Sequence, residues 1–449
     1  MLEGLEICEV RLRKVLKDED LRLEGKYYRI SRIPVNCVKG AIIESFSQYG
    51  TSKDLNEEKE GYPVLRLNEF DTFFISKPEK YCNLIDAETY ESLRLKKNDV
   101  LICRTNGNPK YVGKAAIVPQ DYDYAFASYL FRIRTNSNLI NAATLVSFLN
   151  SKYGRSEIEK FSLVCNQANF SPAKFRKISI PLFSKQFNRQ IEKVVYQSFD
   201  LSSKSKTLYS EAENILLKEL GLQGWNPETR SVNIKQLKES FLKSGRLDAE
   251  YYQKKYDDYI RLIKQYEGGT EKLSNICNVD DKNFIPSYDT EYKYIELSNI
   301  GNSGEITGCT TAKGCELPGR ARRLVHTNDL IVSSIEGSLQ SIALVPEEHN
   351  QSICSTGFFV MRSQIINPET LLILLKSEPM QNQLKRNCSG TILTAINRNE
   401  LQNIIVPKIR KEIQTEIADY IQKSITLRIE AKQLLEDAKK MVEKEIEKN

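Results

Sequence analysis

Two stretches of this chain repeat apolar residues every three or four positions for about forty residues, the mark of a helix with one greasy stripe. Residues 181–220 read PLFSKQFNRQIEKVVYQSFDLSSKSKTLYSEAENILLKEL, and residues 407–446 read PKIRKEIQTEIADYIQKSITLRIEAKQLLEDAKKMVEKEI. Laid over one another at a shift of 226 positions they need no gap: Pro181 falls on Pro407, Ile191 on Ile417, Leu201 on Leu427, Leu208 on Leu434 and Ala212 on Ala438. Each predicts one helix longer than a globular protein usually builds. The proline ahead of each can close a preceding strand without breaking the helix.

Upstream of each long helix the pattern changes to short apolar segments that predict strands. In the first half these are DVLICR at 99–104, KAAIVP at 114–119 and FRIRTN at 131–136; in the second, DLIVSS at 329–334, SIALVP at 341–346 and FFVMRS at 358–363. A helix is predicted over residues 143–161. The duplication extends through these segments. YPVLRL at 62–67 falls on YKYIEL at 292–297, NDVLI at 98–102 on NDLIV at 328–332, AIVP at 116–119 on ALVP at 343–346, and FRIR at 131–134 on FVMR at 359–362. Near the start of each half, RLEGKYY at 22–28 answers RLDAEYY at 246–252. The shift drifts by only a few residues, as loop insertions require. A repeat of this length makes the chain two copies of one module. The expected fold is α+β: two mixed α/β domains, each followed by a long helix, related by a pseudo-twofold repeat. The boundaries are expected at 1–178 and 179–221 for the first domain and its helix, 222–229 for a linker, and 230–404 and 405–449 for the second pair. Gly221, Gly224 and Pro227 punctuate the linker.

Composition narrows the class. The chain has 449 residues, 40% hydrophobic and 28% charged, an ordinary globular mix for two or three cores. It holds no apolar run long enough to span a bilayer, and MLEGLEICEVRLRKVL at the start lacks the apolar centre of a secretory signal. A cytoplasmic location is expected. A net charge of +6, from 65 bases and 59 acids, tolerates a polyanionic partner only through a local patch. The ten cysteines contain no C-x-x-C pair, and only His326 and His349 could assist them. No metal site is expected.

The chain resembles a known family on three motifs: LKKNDVLICRTN at 95–106, VGKAAIVP at 112–119, and the Ile180-Pro181 step into the long helix. RLDAEYY at 246–252 resembles the same family's entry into its second half. The family is the specificity subunits of Type I restriction–modification systems, and the likeness follows its order over nearly the whole chain. It departs at Asn188, where the second copy has Gln414, and residues 29–60 match the second copy weakly. The resemblance implies that each domain is a target recognition domain reading one half of a bipartite site in double-stranded DNA. It implies that the two helices pack as an antiparallel coiled coil, a spacer of roughly 60 Å at 1.5 Å per residue. Two DNA methyltransferase subunits would dock on the helices, with restriction–translocase subunits outside them. No cofactor and no catalytic residue are implied.

Candidate DNA contacts follow from residue chemistry. In the first half Arg104, Asn106, Asn108, Lys110 and Lys114 cluster after a predicted strand, in a segment turned by Gly107 and Pro109. Arginine can pair bidentately with guanine, and asparagine with adenine. A solvated polar turn is the competing reading. The second-half counterpart, SSIEGSLQ at 333–340, has no base and offers Ser338 and Gln340. Different loops on one frame are what two different half-sites require. Arg320, Arg322 and Arg323 form the second half's basic run, read as a phosphate grip against the alternative of a solvated cluster. Tyr27, Tyr28, Tyr251 and Tyr252 recur by repeat, which points to packing. Asp99 and Asp329 each follow an asparagine and are read as turn residues.

Catalytic signals are weak. The chain lacks the Asp/Asn-Pro-Pro-aromatic motif and glycine-rich loop that adenine methylation needs. In the run from Gly107 to Lys114, five residues rather than four separate the glycines at 107 and 113, and Ala115 stands where a phosphate loop needs Ser or Thr. Asp281 with Glu291 and Lys293 has the spacing of metal-dependent nucleases, but the first copy has Gly61, Tyr62 and Pro63 there. Three alternatives stay open: a specificity subunit of a related non-Type-I system, a metal-dependent nuclease, and a structural adaptor.

Overall fold

A computed structural model describes residues 9–16, 23, 27–28, 33–70, 73–162, 168–228, 232–390 and 394–448. The chain divides into two compact units, residues 1–203 with 428–449, and residues 204–427.

The first unit is built on an antiparallel sheet ordered Glu44–Tyr49, Leu130–Thr135, Val100–Cys103 and Ala115–Ile117. Val100–Cys103 and Ala115–Ile117 are buried on both faces, as is Leu130–Thr135 over its first four residues, which explains the apolar runs; the edge strand Glu44–Tyr49 is polar and partly exposed. Val100, Ile102, Phe131 and Ile133 point toward helices Ala142–Asn150 and Lys152–Ser162. Leu101, Cys103, Ala116 and Leu130 point the other way, toward a smaller sheet of Lys80–Cys82, Tyr62–Leu65 and Ala125–Phe126.

The second unit repeats this plan. Its antiparallel sheet is ordered Cys277–Asp280, Phe358–Ser363, Leu330–Ser333 and Ile342–Leu344. Leu330, Val332, Phe359 and Met361 face helices Pro368–Lys376 and Glu378–Arg386. Ile331, Ala343, Phe358 and Val360 face the smaller sheet. Here that sheet has four strands, Thr310–Lys313, Glu291–Ile295, Ile353–Ser355 and Ala321–Leu324.

The helix expected over 143–161 is two helices. Ser151 is extended, with ψ 166°, and its Oγ donates to the Phe148 carbonyl at 2.6 Å. The break lets the second helix press so close that a Cβ on Gly154 would lie 2.0 Å from the Phe148 oxygen. Ser377, 226 positions on, breaks its helix pair in the same way, with ψ 149° and an Oγ bond to Leu374 of 2.6 Å. A one-residue break leaves the apolar period nearly intact, so the pattern alone reads straight through it.

The long helices run Lys185–Glu219 and Lys411–Glu447, each after a short strand, Ser179–Pro181 or Ile405–Pro407. Within the first unit, Ile191 and Val195 pack with Ala438, Val442 and Ile446, and the Ser198 hydroxyl donates to the Ala431 carbonyl at 2.8 Å. Within the second, the positions 226 away do the same work: Ile417 and Ile421 pack with Ala212, Leu216 and Leu220. There the Ser205 and Ser424 hydroxyls each donate to the other's backbone carbonyl, at 2.7 and 2.8 Å. Numbers rise along one helix as they fall along the other, so the pairing is antiparallel.

The chain that follows the first long helix is docked on the second unit. Gly221, at φ 65°, ends the first long helix in a Schellman turn, with the Leu222 N–H donating to Leu217 at 2.8 Å. Trp225 then packs edge-on to Tyr259, 5.1 Å between ring centres, against the second unit's core. Its glycines shape a docked turn.

The joint between helix pair and long helix is the most fully repeated contact. Asn141 caps its helix by accepting the Thr144 N–H at 2.8 Å, and its amide donates to the Asn188 carbonyl at 2.9 Å. Asn367 does both for Thr370 and Gln414, at 2.8 and 2.9 Å. The Gln414 side chain completes its joint, donating to Ile365 and Ile409 at 3.2 and 2.8 Å and accepting the Asn367 N–H at 2.9 Å. Asn188 makes the two matching donations, to Leu139 and Phe183 at 3.4 and 3.3 Å. One methylene shorter, it cannot complete the third bond, and its Oδ1 is buried without a partner. An unsatisfied buried acceptor costs about 1–3 kcal/mol. Asn188→Gln is therefore expected to stabilise the fold and Gln414→Asn to destabilise it, each by about 1 kcal/mol, moving the thermal midpoint up and down respectively. Two shifts of the same sign in calorimetry would contradict this account.

Candidate nucleic-acid interface

Each candidate loop leaves the centre of its main sheet. The approach is a turn in which Asn98 and Asn328 hold φ of 71° and 67°, a left-handed conformation asparagine tolerates. Behind it Asp99 is buried, accepting the Lys96 N–H at 3.0 Å, Arg132 Nη1 at 3.0 Å and Arg134 Nε at 2.6 Å. Asp329 accepts the His326 N–H and Arg362 Nη2, both at 2.7 Å. These aspartates serve their turns as expected. They are also buried counter-ions, which the sequence reading did not anticipate.

In the first unit residues 104–114 carry five candidate contacts. Arg104 is half-buried, stacked 5.0 Å from the Tyr49 ring centre and donating to the Ser128 carbonyl at 3.3 Å. Asn106 Oδ1 accepts the Asn108 N–H at 2.8 Å, and Asn108 Oδ1 accepts the Lys110 N–H at 3.0 Å, capping the short turn Pro109–Tyr111. Lys114 lies 4.0 Å over the Tyr111 ring. The oxygens of both asparagines thus hold the loop's shape, while Asn108 and Lys110 are exposed. In the second unit Ser338 turns inward to Ser333, Oγ to Oγ at 2.9 Å, and Gln340 is exposed.

The basic run of the second unit is not a loop. Arg322 and Arg323 lie on strand Ala321–Leu324, with Arg320 just before it. Arg320 pairs with Glu296 at 2.9 Å, Arg322 Nε donates to Gly319 at 3.0 Å, and Arg323 Nη1 donates to Asn283 Oδ1 at 2.8 Å. Arg320 keeps an exposed side chain; Arg323 is turned toward its own unit. The sequence reading missed Lys282 and Asn283. With Asp280, Phe284, Arg323, Leu324 and Val360 they line a cavity of about 190 Å³, which no sequence pattern marks.

The nuclease spacing does not assemble. Asp281 pairs with Arg398, Lys293 Nζ donates to the Glu348 carbonyl at 2.7 Å, and Glu291 stands opposite Lys313 in the smaller sheet. Among the described residues no group of three or more His, Cys, Asp or Glu could hold a metal ion, and no helix is long and apolar enough to cross a membrane. The recurrent tyrosines pack, as their repetition suggested. Tyr27 meets Tyr28 edge-on at 4.9 Å and Tyr251 meets Tyr252 edge-on at 5.0 Å. Lys160 lies over the first pair and Arg386, 226 positions on, over the second.

Comparison with known proteins finds similarity to the family that the sequence motifs resemble. Over 143 residues, 30% of the chain, it is 27% identical to the Type I restriction enzyme StySPI specificity subunit of Salmonella potsdam. It is 28% identical over the same length to the EcoKI specificity subunit of Escherichia coli strain K12. The chain is similar to Type I specificity subunits. The matched segment spans 29% of each relative's length. The solved Type I restriction–modification S subunit of M. genitalium aligns with 91% of this chain and 94% of its own, at 12% identity and a TM-score of 0.41. No family model matches the chain.

One charged group sits beneath the second loop. Lys376 is buried and donates to the Gln340 carbonyl at 2.6 Å. Burial pushes its ammonium down to about 8, against the opposing pull of Glu305 and Glu213. Because the folded value lies below the ordinary 10.5, the unfolded chain binds the extra proton between the two, and this lysine's contribution to stability rises with pH across that window. Lys376→Met should remove that rise. Thermal midpoints of wild type and variant, measured from pH 7.5 to 10, check it through their difference, which should grow with pH in favour of wild type.

Proposed function

We propose that this chain is the non-catalytic DNA-reading subunit of a Type I restriction–modification complex and that it acts in the cytoplasm. It reads a bipartite, asymmetric site in double-stranded DNA, one half-site per target recognition domain, with the long helices as spacer. Two DNA methyltransferase subunits and the restriction–translocase subunits are its partners. The domains are residues 1–178 and 230–404, with spacer helices within 179–221 and 405–449.

The observation that carries this reading is one frame, built twice, presenting different loop chemistry in the same place. The first loop offers Arg104, Asn106, Asn108, Lys110 and Lys114; the second offers Ser338 and Gln340, with Arg320, Arg322 and Arg323 on the neighbouring sheet. A duplicated enzyme would be expected to repeat its reactive groups. A duplicated reader of an asymmetric site must vary them. Similarity to two specificity subunits supports the same conclusion. Contacts to base edges carry the specificity, and contacts to phosphate set position.

Selection of the full chain against randomised duplex tests the reading. Enrichment of two short sequences separated by a fixed unspecified gap is expected; a flat pool would refute it. Lys110 is exposed and faces solvent, the position of a phosphate contact. Lys110→Ala should weaken binding uniformly across sequences and lower the salt slope by about one. A titration of affinity against salt concentration measures both.

A further inference from the structure

The two proposed reading loops are held from behind by side chains at equivalent positions. In the first unit Arg155 Nη2, on helix Lys152–Ser162, donates to the backbone carbonyls of Lys110 and Val112 at 3.1 and 2.8 Å. In the second, Gln381, 226 positions on, donates through Nε2 to the Leu339 carbonyl at 3.2 Å and to the Leu375 carbonyl of the preceding helix at 2.8 Å, tying loop to helix. A second clamp comes from the end of the preceding helix. Asn150 brackets Ala115, accepting its N–H at 3.1 Å and donating to its carbonyl at 2.8 Å. Its counterpart Lys376 donates to Gln340 at 2.6 Å. The far side of each loop is pinned through backbone, Phe170 N–H to the Arg104 carbonyl in one unit and Ile396 N–H to the Ser334 carbonyl in the other, both 2.8 Å.

The residue types differ while the task is alike: arginine against glutamine, asparagine against lysine, each bonding backbone of the loop or of the strand residue that follows it. A clamp on backbone is indifferent to the loop's own side chains, so it can serve two loops of different sequence. The helix pair bearing the clamps is itself fixed to the long helix by Asn141 and Asn367. A continuous line of hydrogen bonds therefore runs from long helix to loop within each unit.

We infer that Arg155 and Gln381 are positioning residues for base recognition, each fixing the backbone of one reading loop so that its side chains meet base edges in a single register. This rests on the proposed DNA-reading function and adds to it which residues set the sharpness of each half-site. A side chain displaced by an ångström loses a bidentate base contact but can still reach a phosphate. Loss of a clamp should therefore blunt preference in one half-site and leave the other untouched.

The test is selection of the full-length chain from randomised duplex, with the base preference of each half-site scored separately. Arg155→Ala should reduce discrimination at one or more positions of one half-site by about tenfold. Gln381→Ala should do so in the other half-site, and Arg155→Lys, which restores a donor, should recover part of the loss. Gln381→Glu keeps the size and removes the donor, so it should behave as Gln381→Ala even if Arg155→Ala proves too unstable to purify. Unaltered preference in Gln381→Glu and Gln381→Ala, or an equal fall in affinity for every sequence, would overturn the inference. A wild-type pool without a bipartite motif would instead overturn the function on which it rests.

Discussion

An asparagine side chain that serves two backbones at once is the constraint around which each unit is organised. Asn141 and Asn367 each cap a helix with the carbonyl oxygen and hold a carbonyl of the long helix with the amide nitrogen. Capping satisfies an N–H that helix geometry leaves without an internal partner. The second bond ties that cap to another element, so helix position and cap formation become one event. Everything further out follows: the sheet packs on the helix pair, the loops leave the sheet, and the clamps on those loops grow from the same helices.

Much of this was legible before any coordinates. The 226-residue shift matched Ile191 with Ile417 and Ala212 with Ala438, and the pairs do equivalent work: Ile191 and Ala438 lie in the first unit's core, Ile417 and Ala212 in the second's. The six strand segments fell where the apolar runs put them, because strands buried on both faces leave little else to apolar residues. What the pattern could not show was set by single residues acting through backbone. One extended serine splits a helix without disturbing its period, and two glycines turn the linker into a docked corner. The candidate contacts were legible as chemistry and not as placement. Arg323 looks as cationic as Lys110 in a sequence, yet its strand turns it to Asn283 while Lys110 stands in solvent. Arg155 and Gln381 share no residue type, so only their spacing connects them.

The copies also differ where the two sheets of each unit meet. In the first, Arg132 is fully buried between the sheets, donating to Asp99 and Arg94 at 3.0 and 2.8 Å, to Ser92 at 2.7 Å, and to Gln48. In the second the same strand position is Val360, and the space beside it is the cavity bounded by Asp280, Leu324 and Arg323. One copy filled the gap between its sheets with a charge and four acceptors; the other left it open and brought an arginine from the neighbouring strand.

That difference limits how the gene itself can change. Duplicated coding segments invite recombination, and most of this frame would survive an exchange of parts between its halves. The strand bearing Arg132 would not. A crossover that carried Val360 into the first half would strip Gln48, Ser92 and Arg94 of their donor and leave a hole among them. The reverse exchange would bring a guanidinium into surroundings where Asp280 replaces Gln48 and Arg323 already stands. Where a buried charge has been adopted by only one of two copies, the copies cease to be interchangeable, and their separate histories become fixed in the packing.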